Sequence, residues 1–434
     1  MTLLRPADTV QTTGVDKLGG PATLPTWCTV TPDTAGEVLA DCDSVHGYVE
    51  RVCFKTGPPG LVGAELEWLV AFHADPTTVV PLTDLSDVLA SVPALPNGTT
   101  ITFEPGGQLE LSSSPQPGAG ACWRSLGEDL HLVRTALAEA GLVLLPTAVD
   151  PYRPPRRQLK HPRYDAMEAY FHNIGAPDGA VMMNSTAAVQ VNLDIGADTT
   201  DASRRWDLLN ALGPVMVAAF ANSPVHAGRR TGWKSTRQRV WQHLDPQRTS
   251  PPTGEGTAAR WADYALDARL MLRRSDDEDW TVEPGTTFRD WVTGRNGSAR
   301  PTEDDLEYHL GTLFPPVRPR GWFEVRYIDA QPPDLWPVPM AVLTALLDDP
   351  DAGHESGAHA EPVADSWEAA AREGLDDPAL AKAAVGCFEA ASSALRRNGT
   401  EPALVALVEQ FAETYVRRGR CPADDTHHLV PESR

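Results

Sequence analysis

The sequence predicts an α+β protein: an antiparallel sheet with one apolar and one polar face, helices outside it, and a helical layer near the C-terminal end. Three observations lead there. Short stretches alternate with a period of two, apolar residues against acids and amides, as strands with one buried face do. Two of these stretches flank Pro105-Gly106-Gly107, a turn that makes them a hairpin. Alanine-rich amphipathic segments gather after residue 366 and read as packed helices.

Residues 1–35, rich in Thr, Gly and Pro, read as a loose N-terminal arm. Residues 34–54 suit a first helix, with Thr34 as N-cap and Glu37 closing a capping box. A Gly57-Pro58-Pro59-Gly60 turn leads into a strand whose apolar face is Val62, Ala64, Leu66, Trp68 and Val70. Its other face carries Glu65 and Glu67, about 7 Å apart at two-residue spacing. Like charges repel, and half-buried acids are costly unless something positive neutralises them. Residues 82–95 form a short amphipathic helix. The hairpin follows, with Ile101, Phe103, Leu109 and Leu111 on one face and Glu104, Gln108 and Glu110 on the other. Gly106-Gly107 is read as turn chemistry and not as a phosphate loop.

Residues 124–140 are a helix stopped by Gly141, and 142–145 a short buried strand. Arg153, Arg156, Arg157, Lys160 and Arg163 cluster in a proline-rich stretch that suits an anionic small molecule, or is simply a solvated loop. The third strand, 188–195, sets Gln190, Asn192 and Asp194 opposite Val189, Val191, Leu193 and Ile195. An apolar helix spans 202–221. Residues 228–251 form a basic, loop-rich stretch with Lys234, Arg237, Arg239, Arg248, Trp233 and Trp241. Residues 252–312 are polar, with short helical pieces. The fourth strand, 322–328, puts Glu324 and Arg326 on one face and Phe323, Val325 and Tyr327 on the other. A proline-rich lead brings in a helix at 340–347. An acidic, Gly/His-rich break at 348–361 precedes helices at 366–373, 378–398 and 402–418, and the tail from Cys421 reads as mobile.

Composition narrows the partners. A 434-residue chain with 41% hydrophobic residues can bury a large core, and its net charge of −22 argues against nucleic acid or anionic membrane. No run of about 18 apolar residues suggests a membrane span, and no signal-peptide pattern opens the chain. The cysteines at 28, 42, 53, 122, 387 and 421 have neither metal spacing nor a disulfide-dense pattern, so reduced thiols in the cytoplasm are expected.

One acid-bearing strand is ordinary. Several with the same bias, Glu-x-Glu, Glu-turn-Gln-x-Glu, Gln-x-Asn and Glu-x-Arg, build an oxygen-rich concave surface. Carboxylate and amide oxygens are what Mg²⁺ prefers, and Mg²⁺ in such sites bridges substrate phosphates. With arginines nearby, that is equipment for phosphoryl transfer. There is no P-loop and no protein-kinase motif set.

Gly63-x-Glu65-x-Glu67, then Phe103-Glu104-Pro105-Gly106-Gly107-Gln108-Leu109-Glu110-Leu111-Ser112, Val189 to Asp194 and Glu324-Val325-Arg326, resembles the glutamate–cysteine ligases of the plant and proteobacterial type. The resemblance covers residues 63 to about 339. Its Glu-Pro-Gly-Gly-Gln-x-Glu segment is specific; Glu-x-Glu alone is not. Thirty-two Arg against five Lys, and divergent ends, look like the actinobacterial branch that feeds γ-glutamylcysteine into ergothioneine synthesis. The resemblance implies a glutamine-synthetase-like curved antiparallel sheet, a funnel with helices outside. It implies ATP and two or three Mg²⁺ ions, with glutamate and cysteine as substrates. Glu65, Glu67, Glu104, Glu110, Gln190 and Glu324 match metal-binding positions. Arg163 and Arg237, with Asn192 and Trp241, match the substrate side; Arg326 and Arg248 match catalytic positions, and Arg248 with Lys234 the nucleotide. Where the plant form has Arg-Thr, this chain has Asn184-Ser185, which puts one glutamate contact in question. The division implied is an arm (1–35), a catalytic domain (36–347), packed helices (348–420) and a tail (421–434), in a chain expected to be monomeric. A ligase with another acceptor amine, or a non-catalytic binder of amino acid or nucleotide, remain as alternatives.

Overall fold

A computed structural model of the chain describes residues 36–276, 278–295 and 297–429; the expected N-terminal arm and the Thr34 cap lie outside them. The strands are β1 (Leu61–Trp68), β2 (Val70–Phe72), β3 (Thr100–Phe103), β4 (Leu109–Ser112), β5 (Gln116–Pro117), β6 (Leu142–Leu144), β7 (Ala188–Asp194), β8 (Val225–His226), β9 (Arg229–Arg230), β10 (Val317–Pro319) and β11 (Trp322–Asp329). The main sheet runs β10-β11-β7-β1-β4-β3, with β5 on the end of β1, and every pairing is antiparallel.

Register decides which residues share a face. Glu65 lies opposite Gln190 on one side and Ser112 on the other, while Glu67 lies opposite Glu110. Asn192 faces Gly63 and Glu324, and Glu324 faces Arg318. Residues directly opposite on an antiparallel pair point to the same side. The acids and amides of four strands therefore gather on one face. On the other face Val62, Ala64, Leu66, Trp68, Leu109, Leu111, Val189, Val191, Leu193, Phe323 and Val325 are buried. A register shift between Val325 and Ile328 bends β11 just where Arg326 stands.

Helices cover the apolar face. Residues Thr199–Phe220, N-capped by Asp198, pack beneath it, with Trp206 against Phe54 and Phe54 against Phe323 in edge-on contacts. Phe220 then stacks on Phe388 and Phe411 of the C-terminal helices Pro378–Arg397 and Pro402–Thr414. One apolar core runs from Leu39 to Val416, so those helices complete the core of the sheet.

Three local expectations are corrected. The first helix starts at Cys42, where the Asp41 side chain accepts from Ser44 N at 2.9 Å, and continues as a π-turn over Val49–Cys53. Residues 36–40 are extended instead, because Leu39 N donates to Pro301 O and Glu303 N to Glu37 O, pairings no local pattern announces. The supposed break at 348–361 contains the helix Pro350–Ala360, capped by Asp349. Its glycines permit close approach: a Cβ on Gly353 would come 3.0 Å from Leu346 O. Residues 421–426 are not loose, since Cys421 and Ala423 are buried on Ala221. Finally, β10 was not anticipated, and β6 pairs with β2 in a separate ribbon.

Candidate active site

The polar face of the sheet is the floor of a cavity of about 1300 Å³. Its acidic half is built from β1, β4 and the hairpin turn. Glu65 accepts from Asn192 Nδ2 at 2.9 Å, and Glu67 accepts from Gln190 Nε2 at 2.6 Å. Glu110 accepts from Thr102 Oγ1 and Ser112 Oγ, both at 2.9 Å. The Glu104 carboxyl crowds against that of Glu110. The turn between them is tight: Gly107, at φ +87°, donates its N–H to Glu104 O, and a Cβ on Gly106 would strike Asn184 O at 2.1 Å.

Burial raises the pKa of all four carboxyls. Glu65 is pushed to about 7 by burial, with the negative charges of Glu324 and Glu110 adding to it. Glu67 is raised by burial even though Arg237 and Arg326 pull it down, and Glu104 is raised well above the usual range by burial and by Glu110 and Glu67. Glu110 is raised by burial and by Glu67. These oxygens hold too much negative charge for their surroundings.

The basic half lies on β10, β11 and the short helix Thr236–Gln242. Glu324 receives Arg318 Nε at 2.6 Å, Arg326 Nη1 at 3.1 Å and Arg320 Nη1 at 3.4 Å. Burial alone would raise Glu324, but the three guanidinium groups outweigh it and hold the carboxyl well below the usual range. Arg326 also donates to Gln190 Oε1 at 2.7 Å, which ties the basic half to the acidic one. Arg237 is 3% exposed; its Nη2 donates to Arg326 O at 2.8 Å. Its Nε and Nη1, and the Nε1 of Trp241, have no hydrogen-bond partner among the described residues. Both residues line the cavity, so these buried donors fit an anionic group that enters it.

The donor set fits hard divalent cations. Four crowded carboxylates and the amide of Gln190 are oxygen donors, and a divalent cation would offset the burial and mutual repulsion that raise the carboxyl pKa values. No group of three or more His, Cys, Asp or Glu among the described residues is set to hold a metal on its own. Mg²⁺ held here would take one or two of these carboxylates and complete its shell with water and substrate phosphate.

Residues 61–432 match Glutamate-cysteine ligase family 2 (GCS2). The chain belongs to this family. It is 43% identical over 396 residues to the glutamate–cysteine ligase EgtA of Mycobacterium tuberculosis, covering 89% of this chain and 90% of that one. Identity to the Mycolicibacterium smegmatis EgtA is 44% over 393 residues, 89% of this chain and 91% of that one. The chloroplastic glutamate–cysteine ligase of Medicago truncatula matches at 33% over 244 residues, 54% of this chain and 47% of that one. Among solved structures, a glutamate–cysteine ligase from Francisella tularensis in complex with AMP shares the fold. Its TM-score is 0.53 at 14% identity, over 86% of this chain and 85% of that one. The protein is thus an enzyme, a ligase, with the glutamine-synthetase-like architecture expected above.

The structure sorts the residues anticipated in this ligase. Glu65, Glu67, Glu104, Glu110, Gln190, Glu324, Arg326, Arg237, Trp241 and Arg163 all line the one cavity. Arg163 stands on the first turn of the helix Pro162–Asn173, with Nη2 on Gly311 O at 3.1 Å and its guanidinium over the Tyr308 ring. Glu324 differs from the other acids because its charge is already met by arginines. Asn192 is spent on Glu65 and does not line the cavity.

Two expectations fail. Arg248 is fully buried outside the cavity, donating to Tyr170 Oη, Thr312 O, Thr312 Oγ1 and Arg269 O beside Asp245, so its guanidinium is held in the core away from any nucleotide in the cavity. Lys234 pairs with Asp376 and Asp424, also outside the cavity. In the basic 153–160 stretch, Arg153 binds Asp150 at 2.6 Å and Arg157 binds Asp165. Sequence reasoning missed Arg318 and Arg320; their signal was an Arg-Pro-Arg-Gly turn placed directly before the Glu324 strand.

Proposed function

We propose that this ligase joins the γ-carboxylate of L-glutamate to the amine of L-cysteine, using ATP and Mg²⁺, and releases γ-glutamylcysteine, ADP and phosphate. One observation carries the reading: a single cavity presents four under-neutralised carboxylates beside a cluster of arginines. Phosphoryl transfer to a carboxylate needs both halves. The match to relatives named glutamate–cysteine ligase supports the choice of substrates; a place in ergothioneine biosynthesis rests on the resemblance alone.

A carboxylate is a poor acyl donor, so the γ-phosphoryl group of ATP is first transferred to it, giving γ-glutamyl phosphate and ADP. Mg²⁺ held by Glu65, Glu67, Glu104 and Glu110, with Gln190, would neutralise the phosphate oxygens during that transfer. Arg326 is held in place by Glu324 and Gln190 and faces the developing charge. Arg237 and Trp241 direct their free donors at the carboxylate end of glutamate, with Arg163 on the same wall. The cysteine amine then attacks the acyl carbon, loses a proton, and phosphate leaves. No protein nucleophile takes part.

The five cysteines among the described residues are free thiols, which fits action in a reducing compartment such as the cytoplasm. The deciding experiment is ADP release from purified protein with ATP and Mg²⁺, adding glutamate and cysteine singly and together. Release only with both, and a γ-glutamylcysteine mass, is the expected result. Release that needs glutamate but ignores cysteine would assign another acceptor amine. No release under any condition would leave only a binding protein.

A further inference from the structure

Lys234 does not meet a nucleotide, yet it occupies a strategic place. It ends the segment 221–235, which runs from the core helix to the start of the helix bearing Arg237. Lys234 Nζ lies 3.0 Å from Asp376 Oδ2 and is also bonded to Asp424 of the C-terminal turn Pro422–Leu429. The same turn is fixed to the segment's other end, where Ala423 N donates to Ala221 O at 2.9 Å and the Cys421 side chain is buried. Lys234 N and Ser235 N donate to Arg372 O and Ala371 O at 3.2 and 2.8 Å.

The inner side of the segment is fixed to the sheet. Ser235 Oγ and Ser223 Oγ donate to the two oxygens of Asp329 at 2.9 and 2.8 Å, at the end of β11. Ser223 Oγ also accepts from Arg237 N at 3.1 Å, and Ser235 Oγ caps the helix through Gln238 N. Arg237 thus leaves a segment gripped on both sides. Its guanidinium is held by Arg326 O through Nη2 and lies over the Trp241 ring, so its direction depends on that backbone.

We propose that the C-terminal turn is a clamp in which Asp424, through Lys234, positions Arg237 for the carboxylate of the amino-acid substrate. The inference rests on the reading of Arg237 given above. Asp424 and Lys234 are positioning residues; neither lines the cavity. Loosening the clamp lets the 221–235 segment shift, and the substrate held by Arg237 is bound less well, while the carboxylate floor on β1 and β4 is untouched.

The test is steady-state kinetics on the full chain with Asp424→Asn, Lys234→Met, Asp424→Glu and, as a reference, Arg237→Lys, each with a melting curve. The expected result is a roughly tenfold rise in KM for glutamate in Asp424→Asn and Lys234→Met, about 1.4 kcal/mol of binding. KM for ATP and kcat should stay within about twofold, and Asp424→Glu should restore most of the loss. A purely structural tail would lower the melting temperature and the active fraction but leave KM for glutamate unchanged. That outcome, with Arg237→Lys still raising KM, overturns the clamp. An unchanged KM in Arg237→Lys overturns instead the assignment of Arg237. Should Lys234→Met fail to fold, Asp424→Asn alone decides.

Discussion

Withdrawing divalent metal should make the stability of this ligase depend on pH in a direction set by Glu65. Its folded pKa is about 7 against an ordinary 4.5, because burial and the charges of Glu324 and Glu110 oppose ionisation. Between those values the folded state keeps a proton that the unfolded state has released, so stability falls as pH rises through the window. The rise is worth at most about 3 kcal/mol at about 1.36 kcal/mol per pH unit, less where water screens the half-buried carboxyl. For a chain of 434 residues, 1 kcal/mol moves the melting temperature by about 1 °C. Metal-free protein should therefore melt about 3 °C lower at pH 8 than at pH 5 from Glu65 alone. Glu67, Glu104 and Glu110, all raised by burial, add in the same direction. Mg²⁺ binds the ionised carboxylates, so its stabilisation should grow with pH, reaching about 2.7 kcal/mol at a hundredfold excess over Kd. Fluorescence-monitored melting from pH 5 to 8, in EDTA and in millimolar Mg²⁺, measures both slopes, and Glu65→Gln should flatten the metal-free one. A Mg²⁺ effect equal at pH 5 and pH 8, or a metal-free curve that rises with pH, would refute the argument.

Other substitutions separate the parts of the site. Glu67→Gln and Glu110→Gln should each lower ATP turnover by about 100-fold or more while far-UV circular dichroism stays unchanged; near-normal turnover in either would remove it from the metal set. Arg326→Lys keeps the charge but loses the planar guanidinium whose Nη1 donates to both Glu324 and Gln190, and should lower kcat by at least about tenfold. Arg248→Met should behave as a core mutation, costing about 3–5 kcal/mol in urea unfolding because Asp245 is left buried without its cation, with KM for ATP unmoved in the protein that folds. Gly106→Ala forces a methyl into Asn184 O and should destabilise by about 1–3 kcal/mol in the same assay.

Period-two alternation was enough to identify the acid-bearing strands, because burying one face of a strand is a local constraint written into every second residue. Glu65 and Glu67, Gln190 and Asn192, and Glu324 fell on the polar face as their spacing required. The Pro105-Gly106-Gly107 turn was legible for the same reason: its φ and its close approach to Asn184 leave room for little else. The helix at 350–360 was not legible. Its glycines look like breakers until the helix at 199–220 packs against them. Strand β10 was hidden by Pro319 within it and by Pro315 and Pro316 just before it.

Charge is where sequence reasoning failed most clearly. Lys234, Arg237 and Arg248 share one basic stretch and are indistinguishable in it, yet one pairs with the tail, one opens on the cavity and one is sealed in the core. Composition and periodicity by themselves determined the sheet, its polar face and the oxygen donors on it. Only the tertiary structure decided which cations serve that face, since Lys234 meets Asp376 and Asp424, Arg248 meets Thr312 and Arg269, and Arg237 meets Arg326 O, all far along the chain. Those partners are brought near by the packing of the core, and no local pattern records them.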